Sequence, residues 1–165
     1  MTVRFVIKHA LRASEQQFWA EIFRSEGFNR ALYIDHLGFG YELELWEPQT
    51  GRRRARIWPI THVPKAFMTV LGGEISLLEE GVCDASADRY DFRIIPSRFP
   101  ERIRVGGSVV TTPLSDDTCE RTVSFEIEVR VFGIGTAVES FLERTVRQQY
   151  DDNAAFINEY LGDNC

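Results

Sequence analysis

Residues 122–161 read TVSFEIEVRVFGIGTAVESFLERTVRQQYDDNAAFINEYL, and the fold turns on this stretch. Its first ten residues alternate. Val123, Phe125, Ile127, Val129 and Val131 fall on one side, and Ser124, Glu126, Glu128 and Arg130 on the other. A period of two with one apolar side marks a strand half-buried in a sheet. Gly133 and Gly135 then break the strand, and apolar residues return at helical spacing as far as Leu161. A sheet strand that runs through a glycine hinge into a long amphipathic helix gives the sheet a lid. The space between the two is where a small apolar molecule fits.

The upstream sequence supplies the rest of the sheet. Thr2 to His9 sets Val3, Phe5 and Ile7 against Arg4 and Lys8, a first strand. Ser14 and Gln17 have the spacing of a capping box, and Phe18, Trp19, Ile22 and Phe23 follow at helical spacing. After Gly27 the helical pattern resumes over Phe28–Leu37 through Ala31, Leu32 and Ile34, so two short helices are expected with a bend near Gly27. From Phe39 the period returns to two, with Phe39, Tyr41, Leu43 and Leu45 opposite Glu42 and Glu44. Thr50-Gly51 is a turn, and Arg52 to Thr61 is the return strand, with Ala55 and Ile57 against Arg54 and Arg56. Pro59 lacks a backbone donor, so that strand ends, bulges or lies at an edge there. Glu74–Cys83 and Arg89–Ile95 form a hairpin around Asp84–Asp88, and Arg102–Thr112 pairs with Thr118–Val131 across Leu114–Thr118. One strand, two short helices, six consecutive strands and a final helix make an α+β chain with a seven-stranded antiparallel sheet, not a doubly wound one.

Composition narrows the functional classes. The 165 residues are expected to form one domain, and a formal charge of −6 with pI near 5.1 disfavours nucleic acid as a partner. No apolar run is long enough for a signal core or a membrane span, which with the cysteines points to a cytoplasmic protein. Cys83, Cys119 and Cys165 are odd in number and widely spaced, as expected of reduced thiols and not of a disulfide framework. His9, His36 and His62 show no metal-ligand spacing, and neither a metal nor a cofactor is implied.

This order of elements resembles the helix-grip fold of the START/Bet v 1-like superfamily, also called the polyketide cyclase/dehydrase and lipid-transport superfamily. There a strongly curved antiparallel sheet wraps around a long C-terminal helix, and two short helices after strand 1 close one end. Val63-Pro64-Lys65-Ala66-Phe67-Met68-Thr69-Val70-Leu71-Gly72 and Phe132-Gly133-Ile134-Gly135 leading to Val138-Glu139 look like segments of a bacterial branch whose members carry domain-of-unknown-function names. Plant and fungal sterol-transfer domains are a second likeness. The resemblance covers residues 1–165 as a single START/Bet v 1-like domain and implies a small hydrophobic ligand such as a lipid, sterol, quinone or polyketide. It does not imply one reaction, because the superfamily includes carriers, cyclases, hydrolases and chaperone activators.

The expected ligand cavity uses Tyr41, Leu43, Ile57, Phe92, Ile94, Val109, Phe125 and Ile127 from the strands, and Val138, Phe141, Thr145 and Gln149 from the last helix. The same residues would serve equally as a packed core. Arg52, Arg53, Arg54 and Arg56 are the one basic cluster. Cross-strand pairing with Glu42, Glu44 and Glu47 is the favoured reading, and transient contact with an anionic membrane surface the other. Arg56 and Trp58 share a parity, and if inward they would anchor an acidic head. No catalytic residue is assigned. An enzyme of cyclase, aromatase or hydrolase type needs polar groups such as Tyr41, Arg56, Tyr90 or Glu126 turned inward. A protein-interaction module needs a filled interior and an exposed apolar patch. Asp35-His36, Glu79-Glu80 and Asp151-Asp152 read as surface pairs, and Gly133-x-Gly135 as a hinge and not a phosphate site.

Overall fold

The computed structural model describes residues 2–60 and 62–163. Thr61, expected at the end of the third strand, and Cys165, expected as a free thiol, lie outside them. Seven strands, β1 (Thr2–Leu11), β2 (Gly40–Glu47), β3 (Arg52–Trp58), β4 (Leu77–Asp84), β5 (Arg89–Pro96), β6 (Ile103–Pro113) and β7 (Cys119–Val129), form one antiparallel sheet in the order β1-β7-β6-β5-β4-β3-β2. Neighbouring strands are consecutive in the chain, β3 and β4 across the long connection 59–76, except β1, which pairs with β7 and brings the chain's beginning beside its last strand. The α+β helix-grip architecture expected from the sequence is therefore present.

Between β1 and β2 lie two helical segments. α1 (Glu15–Gln17) continues as a π-helical turn over Phe18–Phe23, and α2 (Glu26–Arg30) continues as another over Ala31–His36. Ser14 Oγ accepts from the Gln17 amide at 3.1 Å, but the Gln17 side chain reaches forward to Glu21, so only half of the capping box forms. The break falls at Arg24–Ser25, where Ser25 Oγ caps α2 through the Phe28 amide, and Gly27 sits inside the helix. Between β3 and β4, Lys65–Phe67 is a 3-10 turn leading into α3 (Met68–Leu71). β3 ends at Trp58, directly before Pro59.

Along β7 the alternation is as read: Val123, Phe125, Ile127 and Val129 are buried. β2 departs from its pattern. A register shift between Leu43 and Leu45 puts Leu45 opposite Arg54 and Trp46 opposite Arg53, so Trp46 and not Leu45 packs on the core side. A bulge inverts every later side chain of its strand, and strict alternation carries no sign of it.

α4 (Gly135–Asp163) lies across one face of the sheet, packing chiefly on β1 and β7. Gly135 follows the hinge closely enough that a Cβ there would lie 2.5 Å from the Val129 carbonyl, so only glycine fits without a shift. One turn on, Glu139 is fully buried, and its Oε1 accepts from the Val129 amide at 2.8 Å, which ties the helix to the last residue of β7. The C-terminal half of α4 clamps the helical segments through Phe156 and Tyr160 against Phe28, with His36 stacked on Phe156. Substituting Glu139→Leu leaves a buried amide unpaired and is expected to cost about 2–3 kcal/mol, whereas Glu139→Gln keeps the acceptor and costs no more than about 1 kcal/mol. Urea unfolding midpoints for the two variants check this, and equal losses would show that the accepted hydrogen bond is not what holds the helix.

Candidate ligand-binding site

Between the sheet and α4 lies a partly enclosed cavity of about 230 Å³. Ile57, Leu77, Ile94, Val105, Phe125 and Ile127 form its sheet wall, and Phe141, Leu142, Thr145, Val146 and Gln149 its helix wall. The β3–β4 connection covers the mouth with Pro59, Val63, Leu71 and Ile75, and Phe67 of the same connection packs on the Phe141 ring with centroids 5.6 Å apart. Arg98 fixes the connection by donating to the Gly72 carbonyl.

One end of the cavity is polar. Tyr33, Tyr150 and Glu79 front it, and the same three residues also front a second chamber of about 80 Å³ behind them. Glu79 Oε1 accepts from Arg53 Nη1 at 2.8 Å and from the Tyr90 hydroxyl at 3.0 Å, and Arg53 Nη2 donates to the Tyr41 hydroxyl at 3.1 Å. Burial works to lower the Arg53 guanidinium, but Glu79 and the surrounding tyrosines outweigh it and hold it above its ordinary value. Burial first, with Glu79 adding, raises the Tyr33, Tyr90 and Tyr150 hydroxyls, so all three stay protonated at physiological pH. Neither the Tyr33 nor the Tyr150 hydroxyl bonds to another described residue, so both remain donors for whatever enters.

Half of the expected cavity residues meet here. Ile57, Ile94, Phe125, Ile127, Phe141, Thr145 and Gln149 line the larger cavity. Phe92 and Val109 line the smaller chamber, Tyr41 is buried beside Arg53, Leu43 packs with Tyr41 at the sheet's far edge, and Val138 is buried in the core at the start of α4. Arg56 and Trp58 are corrected: Arg56 Nε donates outward to Glu44 at 2.6 Å, and Trp58 is 39% exposed. Period two forbids both Ile57 and its neighbours from facing inward, and the buried Ala55 and Ile57 fix the side. The inward arginine is Arg53, 8% exposed. Of the other inward groups considered, Tyr90 is buried and Glu126 points out to Arg4.

The basic cluster pairs across strands, but not only within its own hairpin. Arg56 meets Glu44, Arg52 meets Glu47, and Arg54 reaches Glu80 on β4. Glu79-Glu80 is not a surface pair: Glu80 faces out to Arg54 and Arg93, and Glu79 faces the cavity. His36 pairs with Asp152 and His9 with Asp151. Cys119 is fully buried, and burial with Glu15 nearby pushes its thiol up to about 11; burial also raises Cys83. Among the described residues no His, Cys, Asp and Glu cluster is placed to hold a metal, and no helix is long and apolar enough to cross a membrane.

Tyr33, Arg53, Glu79, Arg121 and Tyr150 were missed as site residues. Arg53 and Arg121 were legible by extending the alternation of Ala55 and Ile57, and of Val123 and Phe125, two residues back. Gly81 carries a subtler signal: it lies across the ladder from Arg53, and a Cβ there would fall 2.4 Å from the Tyr90 ring. Removing one partner of the Arg53–Glu79 pair is expected to cost about 3 kcal/mol, with the double variant Arg53→Met/Glu79→Leu losing less than the sum of the singles. A double-mutant cycle in urea checks it, and simple additivity would mean that the two side chains do not depend on each other.

Comparison with known proteins agrees with this architecture. The Zhui aromatase/cyclase from Streptomyces sp. R1128 superposes with a TM-score of 0.71 over 97% of this chain and 93% of its own, at 12% identity. Norcoclaurine synthase from Thalictrum flavum, in complex with dopamine and hydroxybenzaldehyde, gives 0.67 over 100% and 89% at 14% identity. A START superfamily protein from Mycobacterium smegmatis gives 0.66 over 96% and 98% at 10% identity. At such identities the likeness is one of fold. No functionally curated protein matches the sequence. Residues 7–161 match the family described as protein of unknown function (DUF2505), and the chain therefore belongs to that family, with the helix-grip fold of the START/Bet v 1-like superfamily.

Proposed function

We propose that this protein binds a compact hydrophobic ligand in the cavity between the sheet and α4. The observation that carries the proposal is the combination of aliphatic and aromatic walls with two unengaged phenol hydroxyls at one end. Apolar burial supplies affinity at about 25 cal/mol per Å², and the hydroxyls orient the ligand. Two proteins of the same fold support this reading, since one is an aromatase/cyclase and the other was captured with dopamine and hydroxybenzaldehyde.

Size narrows the class. A cavity of roughly 150 Å³ holds benzene, so about 230 Å³ suits a molecule of one or two rings. A quinone ring or a short polyketide unit fits as the cavity stands. A sterol or an intact lipid requires the Val63–Gly73 segment or the helices after β1 to move aside.

An enzyme of cyclase or hydrolase type is the second reading, favoured by one observation: a carboxylate, Glu79, borders the cavity. Against it, Arg53 and Tyr90 already engage the same oxygen, which leaves Glu79 poorly disposed to move a substrate proton. A protein-interaction module is less favoured, because the interior is not filled and the exposed large apolar residues, such as Val6, Ile60, Leu114 and Phe132, are scattered along the chain.

The neutral two-ring amide 2-naphthamide is expected to bind saturably with one site per chain by calorimetry. Thr145→Trp, which fills the helix wall, is expected to weaken it at least tenfold while the circular dichroism spectrum is unchanged. Undiminished binding in a folded Thr145→Trp protein would place the amide elsewhere and remove the support for this cavity.

A further inference from the structure

Three charged side chains are buried among the described residues: Arg53, Glu139 and Arg121. Arg53 has Glu79, and Glu139 accepts from the Val129 amide. Arg121, on the inward side of β7 and 4% exposed, has no carboxylate within salt-bridge distance among the described residues. Its guanidinium carries five N–H donors, and three acceptors meet them. Nη1 donates to Asn153 Oδ1 at 2.5 Å, and Nη2 donates to His9 Nδ1 at 3.3 Å and to the Tyr150 carbonyl at 3.4 Å. Nε has no partner.

His9 does not supply the missing charge. Its Nε2 lies 2.7 Å from Asp151 Oδ1, so the tautomer that donates to Asp151 and accepts from Arg121 is the neutral ring. The Tyr150 ring, 5.2 Å from the guanidinium carbon, offers a cation–π contact and no countercharge. A buried charge with no opposite partner is costly, and hydrogen bonds to neutral groups offset only part of that cost.

Arg121 fronts the smaller chamber of about 80 Å³, together with Asn153, Asn29, Tyr33, Tyr150 and the Arg53–Glu79 pair. Arg53 and Glu79 cancel, so the chamber carries the unbalanced positive charge of Arg121. We propose that this chamber is an anion site that takes a group the size of a carboxylate, and that the ligand of the adjoining cavity is a small organic acid whose head it receives. Tyr33 and Tyr150 front both spaces and offer their hydroxyls where head and body join. The body of the ligand rests on the reading of the larger cavity, whereas the anion site stands on Arg121 alone.

Two pairs of probes separate these claims. Formate and formamide fit the small chamber without the large one, and 2-naphthoate and 2-naphthamide occupy both. At fixed ionic strength, formate is expected to raise the melting temperature above that in formamide. The naphthoate is expected to bind at least tenfold more tightly than the amide. Arg121→Gln should abolish both preferences, and Arg121→Lys should retain part of them. If the Gln variant does not fold, the wild-type preferences decide alone. Equal binding of naphthoate and naphthamide, with no effect of formate, overturns the anion site and leaves the apolar cavity standing. Preferences unchanged in a folded Arg121→Gln protein overturn the assignment to Arg121. A formate effect with no naphthyl compound bound keeps the anion site and removes the cavity reading.

Discussion

A single hydrogen bond sets the geometry on which the cavity depends. The Val129 amide donates to Glu139 Oε1 at 2.8 Å, joining the end of β7 to the first turns of α4 across the hinge. With Glu139 fully buried, that carboxylate works as a fixed acceptor, and Gly135 lets the helix approach the Val129 carbonyl closely enough to reach it. A helix anchored at this point lies along β1 and β7. Away from those strands the helix faces the cavity, whose sheet wall comes from β3 to β7 and whose other cover is the β3–β4 connection, with Phe67 against Phe141. The cavity is the remainder left between the anchored helix and the sheet.

What fills that remainder is decided by side-chain size and by a few buried polar groups. Phe125, Phe141 and Ile127 narrow the space to a ring or two. Arg53 and Glu79 neutralise each other and pull Tyr41 and Tyr90 into the same network, leaving Tyr33 and Tyr150 unengaged at the cavity's end. Buried polar groups are costly unless paired, so the ones left unpaired are where a ligand gains most. Arg121 is the extreme case, a buried cation that among the described residues hydrogen-bonds only to neutral groups.

Much of the fold was legible because it is written in local period. The strand over Thr122–Val131, the hinge and the helix to Leu161 needed nothing but spacing, and the chain of hairpins needed only turn residues. The bulge in β2 was invisible, because the shift between Leu43 and Leu45 is set by pairing with β3 and not by any residue in β2 itself. The site was half legible. Inward apolar positions follow parity, which recovered Ile57, Ile94, Phe125 and Ile127 and also exposes the inconsistency of placing Arg56 and Trp58 beside Ile57. Arg53, Glu79 and Arg121 were passed over because charged residues are read as solvated. Only the far-separated partners Tyr41, Tyr90, Asn153 and His9 show that they are held inside.

The central claim is that the space between sheet and α4 is a ligand chamber with an apolar body and a polar end. A crystal structure grown with 4-bromobenzoate tests it most directly through the anomalous signal of bromine. The account predicts a bromine peak between Ile127 and Phe141, with the carboxylate directed toward Tyr33 and Tyr150. A chamber closed by its own side chains, with bromine found only on the outer surface, would contradict it.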